Sequence, residues 1–392
     1  MLNALWQSAR YRAGSLIWVV LSLALALGLV MLVERLRDGV RDGFSQSVAN
    51  IDLVVGAPAG DVQLLLHSVF QLGAPTQSIP LARLEQVLAQ PSIEWWVPIA
   101  LGDNYRGHAV VATQADYFDY LTPEGFSQGQ AFASSGQLVM GARVATKLGY
   151  SLGQSMQVAH GQAEALGDQH DQLTFELVGI LNPTGGPIDN AVLIDIADFQ
   201  ALHVDPLRPS PPASANAALV GVTVPFALFQ LQRQLSAEPD LTATLPGVAL
   251  SRLWAVFGGA ERALELLSLA LLVCAGLTLL AQTMSQVERR TREMALYRAM
   301  GAPLRYSLGL PIVESALIGL VSWSMAWCLL LAASTLISDW LQQSQGILLP
   351  QTGVTGFEGA LLIASAIAPV VLSALPHWLA WRRSQLNSLE RL

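Results

Sequence analysis

Four runs of this sequence are long and apolar enough to cross a lipid bilayer, and they constrain the architecture more than any other feature. A helix crossing the hydrocarbon layer needs about 20 mostly apolar residues. Leu16–Val33 contains no ionisable group and, at ~1.5 Å per residue, reaches ~27 Å. Leu266–Met284 is equally free of charge. The third run, within 307–337, holds a single acid, Glu314, near the start of its apolar part, and the fourth, 359–381, holds only His377 near its end. Composition agrees: 52% of the 392 residues are hydrophobic and 13% charged, against about 25% charged in a soluble domain. That balance argues against an ordinary soluble enzyme and excludes a disordered chain. The net charge of −8 argues against a nucleic-acid partner.

The first run also has to be weighed as a signal peptide, since Arg10 and Arg12 precede it. It is longer than the usual 7–15 apolar residues, and no small-x-small cleavage site follows before Glu34, so the reading is an uncleaved anchor. Arginines set the orientation. Arg10 and Arg12 flank the first span, Arg289, Arg290, Arg292, Arg298 and Arg305 follow the second, and Arg382, Arg383 and Arg391 follow the fourth, whereas 338–358 has no Lys or Arg. By the positive-inside rule both termini and the 285–305 loop are cytoplasmic, and 34–263 lies outside.

The expected fold is therefore an α-helical membrane protein of one plus three spans, with a large α+β domain between the first and second. Residues 1–15 read as an amphipathic cytoplasmic helix on the lipid surface, and 382–392 as a cytoplasmic tail. The external segment carries 11 Lys and Arg against 22 Asp and Glu. Its flanks, 34–48 and 248–265, continue the helical pattern of the spans as stalks. Between them, strands are expected at 51–55, 95–101, 108–113, 137–140, 155–159, 173–181, 191–194 and 219–224, and helices at 62–72, 81–90, 198–203 and 226–236. The proline-rich stretch 205–216 reads as a loop.

The segment after the second span reads Val287-Glu-Arg-Arg-Thr-Arg-Glu-Met-Ala-Leu-Tyr-Arg-Ala-Met-Gly-Ala-Pro303. Residues 288–299 are good helix formers, Gly301 stands at the cap position and Pro303 forbids continuation. Glu293, Tyr297 and Met300 share one face, with Arg290, Met294 and Arg298 beside it. Such a segment is either a charged hairpin that fixes topology or a short helix along the membrane that docks into a soluble partner. Glu314 is an acid within a membrane run, a costly placement. One turn past Pro311, it suits a partner for a loop arginine or an interhelical hydrogen bond better than an ion site.

Other motifs carry less. Two Gly-x-Ser-x-Gly matches, at Ser127 and Ser151, lack the strand-before, helix-after context of a nucleophile elbow. His160 and His170, with Glu164, Asp168 and Asp171 between and beside them, form a weak candidate metal set. Cys274 and Cys328 fall in apolar runs and offer neither a disulfide framework nor a zinc site. A Walker A loop needs Gly-Lys-[Ser/Thr], and the sole lysine is Lys147 in Thr146-Lys147-Leu148. No cofactor is expected in this chain, and ATP with Mg²⁺ would have to be held by another subunit.

The run over 289–302 resembles the coupling region of FtsX/MacB-type ABC transporter permeases, which include the lipoprotein-releasing permeases. The matching positions are Arg289 or Arg290, Glu293, Met294, Tyr297, Arg298, Ala299, Met300, Gly301 and Ala302, with Arg292 alongside, and Glu314 matches an acid that follows in that family. Residues 137–159 and 175–193 are similar to pieces of the family's periplasmic domain. The resemblance implies a bacterial inner-membrane protein that is not itself an ATPase. Its partners would be ABC ATPase subunits, a second permease copy or a paralogue, membrane lipid and a periplasmic or lipoprotein client. Three other readings remain open: a non-transporting regulator of a periplasmic enzyme, a metal-linked ABC system, and a membrane-anchored serine hydrolase.

Overall fold

The computed structural model describes residues 13–73, 75, 77–157, 174–203, 212–299, 304–345 and 353–389. The chain forms two compact units, one of Met1–Asp38, Gly259–Ile337 and Leu349–Leu392, the other of Gly39–Gly258 with Ser338–Leu348.

Four helices long and apolar enough to cross a membrane supply the first unit. They are α1 (Ala13–Ser47), α8 (Pro246–Ala299), α9 (Leu304–Gln345) and α10 (Gly356–Leu389). Each outruns its apolar stretch, because backbone hydrogen bonding continues through polar flanks that hydropathy alone does not mark. The 285–305 segment is accordingly not a separate short helix. Its backbone to Ala299 continues α8 without a break. Likewise the 338–358 loop is shortened by α9, which runs to Gln345, and by α10, which starts at Gly356. Residues 382–389, expected as tail, are helical. The amphipathic segment lies outside the described residues, save for 13–15.

The unit's core is α1 against α9 and α10: Ala24, Leu27, Val30 and Met31 pack with Ala326, Leu330 and Leu361. Small residues permit the closest contacts. A β-carbon on Gly319 would lie 1.7 Å from the carbonyl oxygen of Ser365. That carbonyl lacks its usual helical partner because residue 369, four further on, is proline. α8 contributes little to this core, and its Leu266, Leu269, Val273 and Leu277 are all more than half exposed.

The second unit is built on a mixed sheet. Its strands are β1 (Leu53–Gly56), β3 (Ile93–Tyr105), β4 (His108–Thr113), β5 (Phe126–Gly129), β6 (Gln137–Met140), β7 (Ser155–Gln157), β8 (Thr174–Leu181), β9 (Ala191–Asp195), β11 (Ala217–Val222) and β12 (Thr242–Thr244). The order is β12-β1-β11-β3-β4-β9-β6-β8-β5, with β7 also on β8, while β2 (Ile79–Pro80) and β10 (Ser214–Ala215) pair separately. The 13-residue β3 joins the two halves: its first part pairs with β11 (Ile99↔Ala217) and its second with β4 (Tyr105↔His108). Both faces are covered, so alternate residues of one strand enter different cores. Leu53 and Val55 enter one, and Val54 enters the other. This explains why the central strands read as continuous apolar runs.

Short helices cover these faces: α2 (Asp61–Ser68), α3 (Leu81–Leu88), α4 (Asp116–Leu121), α5 (Ala142–Leu148), α6 (Ile196–Leu202) and α7 (Leu228–Leu235). α6 starts two residues before the sequence pattern because the Asp195 carboxylate caps it, accepting from the Ala197 N–H at 2.8 Å. α5 ends on Gly149 at φ +68°, the left-handed cap that glycine permits.

Candidate functional site: the stalk ends and the clamp between membrane helices

α1 and α8 each carry residues of both units, and side chains fasten them to their surroundings in each. In the first unit, the guanidinium of Arg35 grips the carboxylate of Glu358 in fork fashion, Nε to Oε1 at 2.6 Å and Nη2 to Oε2 at 3.1 Å, and also donates from Nη2 to the Gly353 carbonyl at 2.9 Å. Both side chains are almost fully buried, 4% and 1% exposed. Glu358 also closes a capping box at the start of α10. Its Oε2 accepts from the Thr355 N–H at 3.1 Å, and its own N–H donates to Thr355 Oγ1 at 3.2 Å. The Trp323 indole of α9 donates to the Glu358 carbonyl at 3.1 Å. One residue thus ties α1 and the middle of α9 to the start of α10. Two positions further along α1, Arg37 reaches Glu265 of α8 at 3.3 Å.

In the second unit, the foot of α1 is seated by aromatic and backbone contacts. Phe44 lies 4.5 Å from the ring of Phe70 and 5.5 Å from Trp254 of α8. The helix rests on the turn 184–186. A β-carbon on Gly43 would stand 3.0 Å from the Gly185 carbonyl, and one on Gly186 would stand 2.8 Å from Ser47 Oγ. The turn is held by buried Asp189, which accepts from the Thr184 N–H (2.9 Å), the Thr184 hydroxyl (2.9 Å) and the Gly185 N–H (2.8 Å). Burial pushes the Asp189 carboxyl above its ordinary range, and those same bonds oppose it. At the start of α8, Arg252 pairs with Asp61 of α2, which also accepts from Thr244 Oγ1 at 3.0 Å. A cavity of about 300 Å³ opens beside the α1 foot.

Sequence reasoning singled out other residues. Arg289, Arg290, Arg292, Glu293, Met294, Tyr297 and Arg298 fall on the last turns of α8, where the backbone is helical and the side chains lie outside the described part. Met300 and Gly301 lie outside the described residues, as do His160 and His170. Glu314 is buried in α9 at 8% exposure. Ser127 sits within β5, its hydroxyl donating to the Ile180 carbonyl at 3.1 Å. Ser151 lies between α5 and β7. Neither stands on a strand-to-helix elbow. The clamp itself was missed, although Thr355-Gly-Phe-Glu358 before an apolar run is a capping-box signature.

The chain matches the family profile of the MacB-like periplasmic core domain over residues 13–235 and that of the FtsX-like permease C-terminal region over residues 265–384. The chain belongs to the FtsX/MacB-like ABC transporter permease family. Between them the two profiles take in the first span, the domain between the spans and the three remaining spans. The second unit is thus a MacB-like periplasmic domain, and the protein is a permease of the inner membrane. Comparison with curated proteins finds no matching sequence. Among solved structures, it is similar to the periplasmic region of MacB from Actinobacillus actinomycetemcomitans, with 11% identity, 53% of this chain and 95% of that one covered, and a TM-score of 0.37. It is also similar to the extracellular domain of the noncanonic ABC-type transporter YknZ from Gram-positive bacteria, with 11% identity, 50% and 98% covered, and a TM-score of 0.33.

Two buried histidines make the periplasmic domain sensitive to pH. Burial lowers the pKa of His67 and of His108 below the ordinary 6.5, His108 with Lys147 and Arg143 adding to the effect and Asn190 Oδ1, 2.7 Å from Nδ1, opposing it. Below about pH 6.5 the unfolded chain binds more protons at these sites than the folded chain, so stability falls as pH drops through 6.5. Asp189 works the other way: its raised pKa makes acidification through the carboxylate range favour the folded state. Thermal melts of the whole protein at pH 7.5 and 5.5 should show lower stability at 5.5. The slope should flatten in a His67→Gln/His108→Asn double variant, and an unchanged slope contradicts the assignment.

Proposed function

We propose that this chain is the transmembrane subunit through which a separate ABC ATPase performs mechanical work on a periplasmic client. Both termini and residues 285–305 face the cytoplasm, as the arginine distribution argues. Residues 289–301 engage the ATPase, which holds ATP and Mg²⁺, and two permease subunits, identical or paralogous, act together. The observation that carries this reading is the continuity of α8. A single 54-residue helix holds the stalk, the second span and the segment 289–299, about 80 Å of contour at 1.5 Å per residue. A displacement imposed on one end of such a rod reaches the other without passing through a loop. The clamp at Glu358 supports it further by tying α1, α9 and α10 into one body against which α8, little packed, can move.

Deleting residues 289–301 tests the proposal. The truncated protein should insert at wild-type levels but lose co-purification with its ATPase and any stimulation of ATP turnover. ATPase binding that survives the deletion contradicts the role given to this segment.

A further inference from the structure

The cavity beside the foot of α1 lies between the stalk and the domain it carries. One wall comes from the end of α1 and the residues after it, Gln46 to Ile51, and another from the loop after α2, where Ser68, Val69 and Gln71 stand. The remaining walls come from the segments around Tyr117–Glu124 and Thr184–Ile188. Its floor is apolar, with Ile51, Ile99, Val111 and Leu219, and its rim carries amides and one carboxylate, Glu124. Among the described residues no Lys or Arg lines it. At about 300 Å³ it stands at the lower end of the range for small-ligand sites.

Gln71 gives the second observation. It adopts φ +56° at the end of α2, where the Leu72 N–H turns back to the Leu66 carbonyl at 2.9 Å. This left-handed backbone, two residues past the helix cap at Val69, is one that glycine ordinarily adopts. A glutamine there bears a conformational cost, and strain of this kind gathers at functional sites. Its amide lines the cavity and, like that of Gln46, makes no hydrogen bond with another described residue.

We infer that this cavity is a binding site for a short peptide segment that is neutral or positively charged, with an apolar side chain on the floor and amide groups at the rim. Side-chain amides of Gln46, Asn50 and Gln71 offer donors and acceptors in pairs, as a peptide backbone requires. Glu124, with no Lys or Arg lining the cavity among the described residues, favours a cationic group at the mouth and disfavours an anion. Because the walls belong to both stalk and domain, an occupant contacts both and braces their joint. That consequence rests on the proposed function, whereas binding itself does not.

The test uses the full-length protein in lipid nanodiscs and three probes: leucinamide (cationic), acetyl-leucinamide (neutral) and acetyl-leucine (anionic). Saturation-transfer NMR should detect leucinamide and acetyl-leucinamide and give no signal for acetyl-leucine. Ala49→Phe, which fills the mouth from an exposed position, should abolish the signal while leaving the melting temperature of the free protein unchanged. Gln71→Gly should raise that melting temperature and weaken leucinamide at least about tenfold, a pair of opposite shifts that a purely structural glutamine would not give. Absence of binding by all three probes, equal binding by all three, or binding that survives Ala49→Phe overturns the inference. Since no ATPase enters the measurement, its outcome is independent of the coupling proposal.

Discussion

Replacing Glu358 by alanine should cost about 3–5 kcal/mol, because it takes from the buried Arg35 guanidinium the carboxylate that balances its charge. The loss is compounded at α10, whose first turn gives up the carboxylate that accepts the Thr355 N–H. Equilibrium unfolding of the purified protein in mixed micelles would measure it. The coupled nature of the pair makes a sharper test. Arg35→Met together with Glu358→Leu removes both charges and should be less destabilising than Glu358→Ala alone, since the penalty lies mainly in the orphaned ion. If the double variant is as damaged as the sum of the single ones, the clamp is not acting as a pair.

Gly319→Ala is the second large effect. The new methyl group would fall 1.7 Å from the Ser365 carbonyl oxygen and near the Pro369 ring. Both obstacles belong to the α10 backbone or to a ring fixed to it, so neither can rotate away, and α9 and α10 must separate. The expected loss is about 3 kcal/mol, in the upper range for over-packing. Gly359→Ala in α10 supplies the control, since nothing lies within 4 Å of a β-carbon there, and it should be neutral or slightly stabilising through helix propensity. The same unfolding assay decides between them, and equal losses at the two glycines would contradict the close approach.

What could be read from the sequence follows the range of the interactions involved. The apolar runs announce the spans because the bilayer acts on each segment separately. Strands β4 and β6 coincide with their expected limits, 108–113 and 137–140, since alternating or β-branched runs bounded by turns mark them locally. The short strands β2, β5, β10 and β12 carry two to four residues each and exist only through their partners, so no local signal distinguishes them. The order β12-β1-β11-β3 is equally invisible, being set by contacts between residues more than a hundred positions apart. The clamp shows the limit most plainly. Arg35 and Glu358 are separated by 323 positions, and each alone looks like an ordinary polar flank of a span. The Thr355–Glu358 spacing announces a helix start and says nothing of the arginine that fills the other side of the carboxylate. For the segment proposed to engage the ATPase, the structure adds that the backbone to Ala299 is one helix with the second span, a continuity that the polar composition after Met284 does not announce.

Motion of the stalks in response to ATP is the point on which the account turns. Nitroxide labels at positions 37 and 265, whose native side chains meet at 3.3 Å, report the separation of α1 and α8 beyond the lipid. In the assembled complex with its ATPase, double electron–electron resonance should show a different distance distribution in the vanadate-trapped state from that without nucleotide. Superimposable distributions in a complex proven to hydrolyse ATP would contradict it.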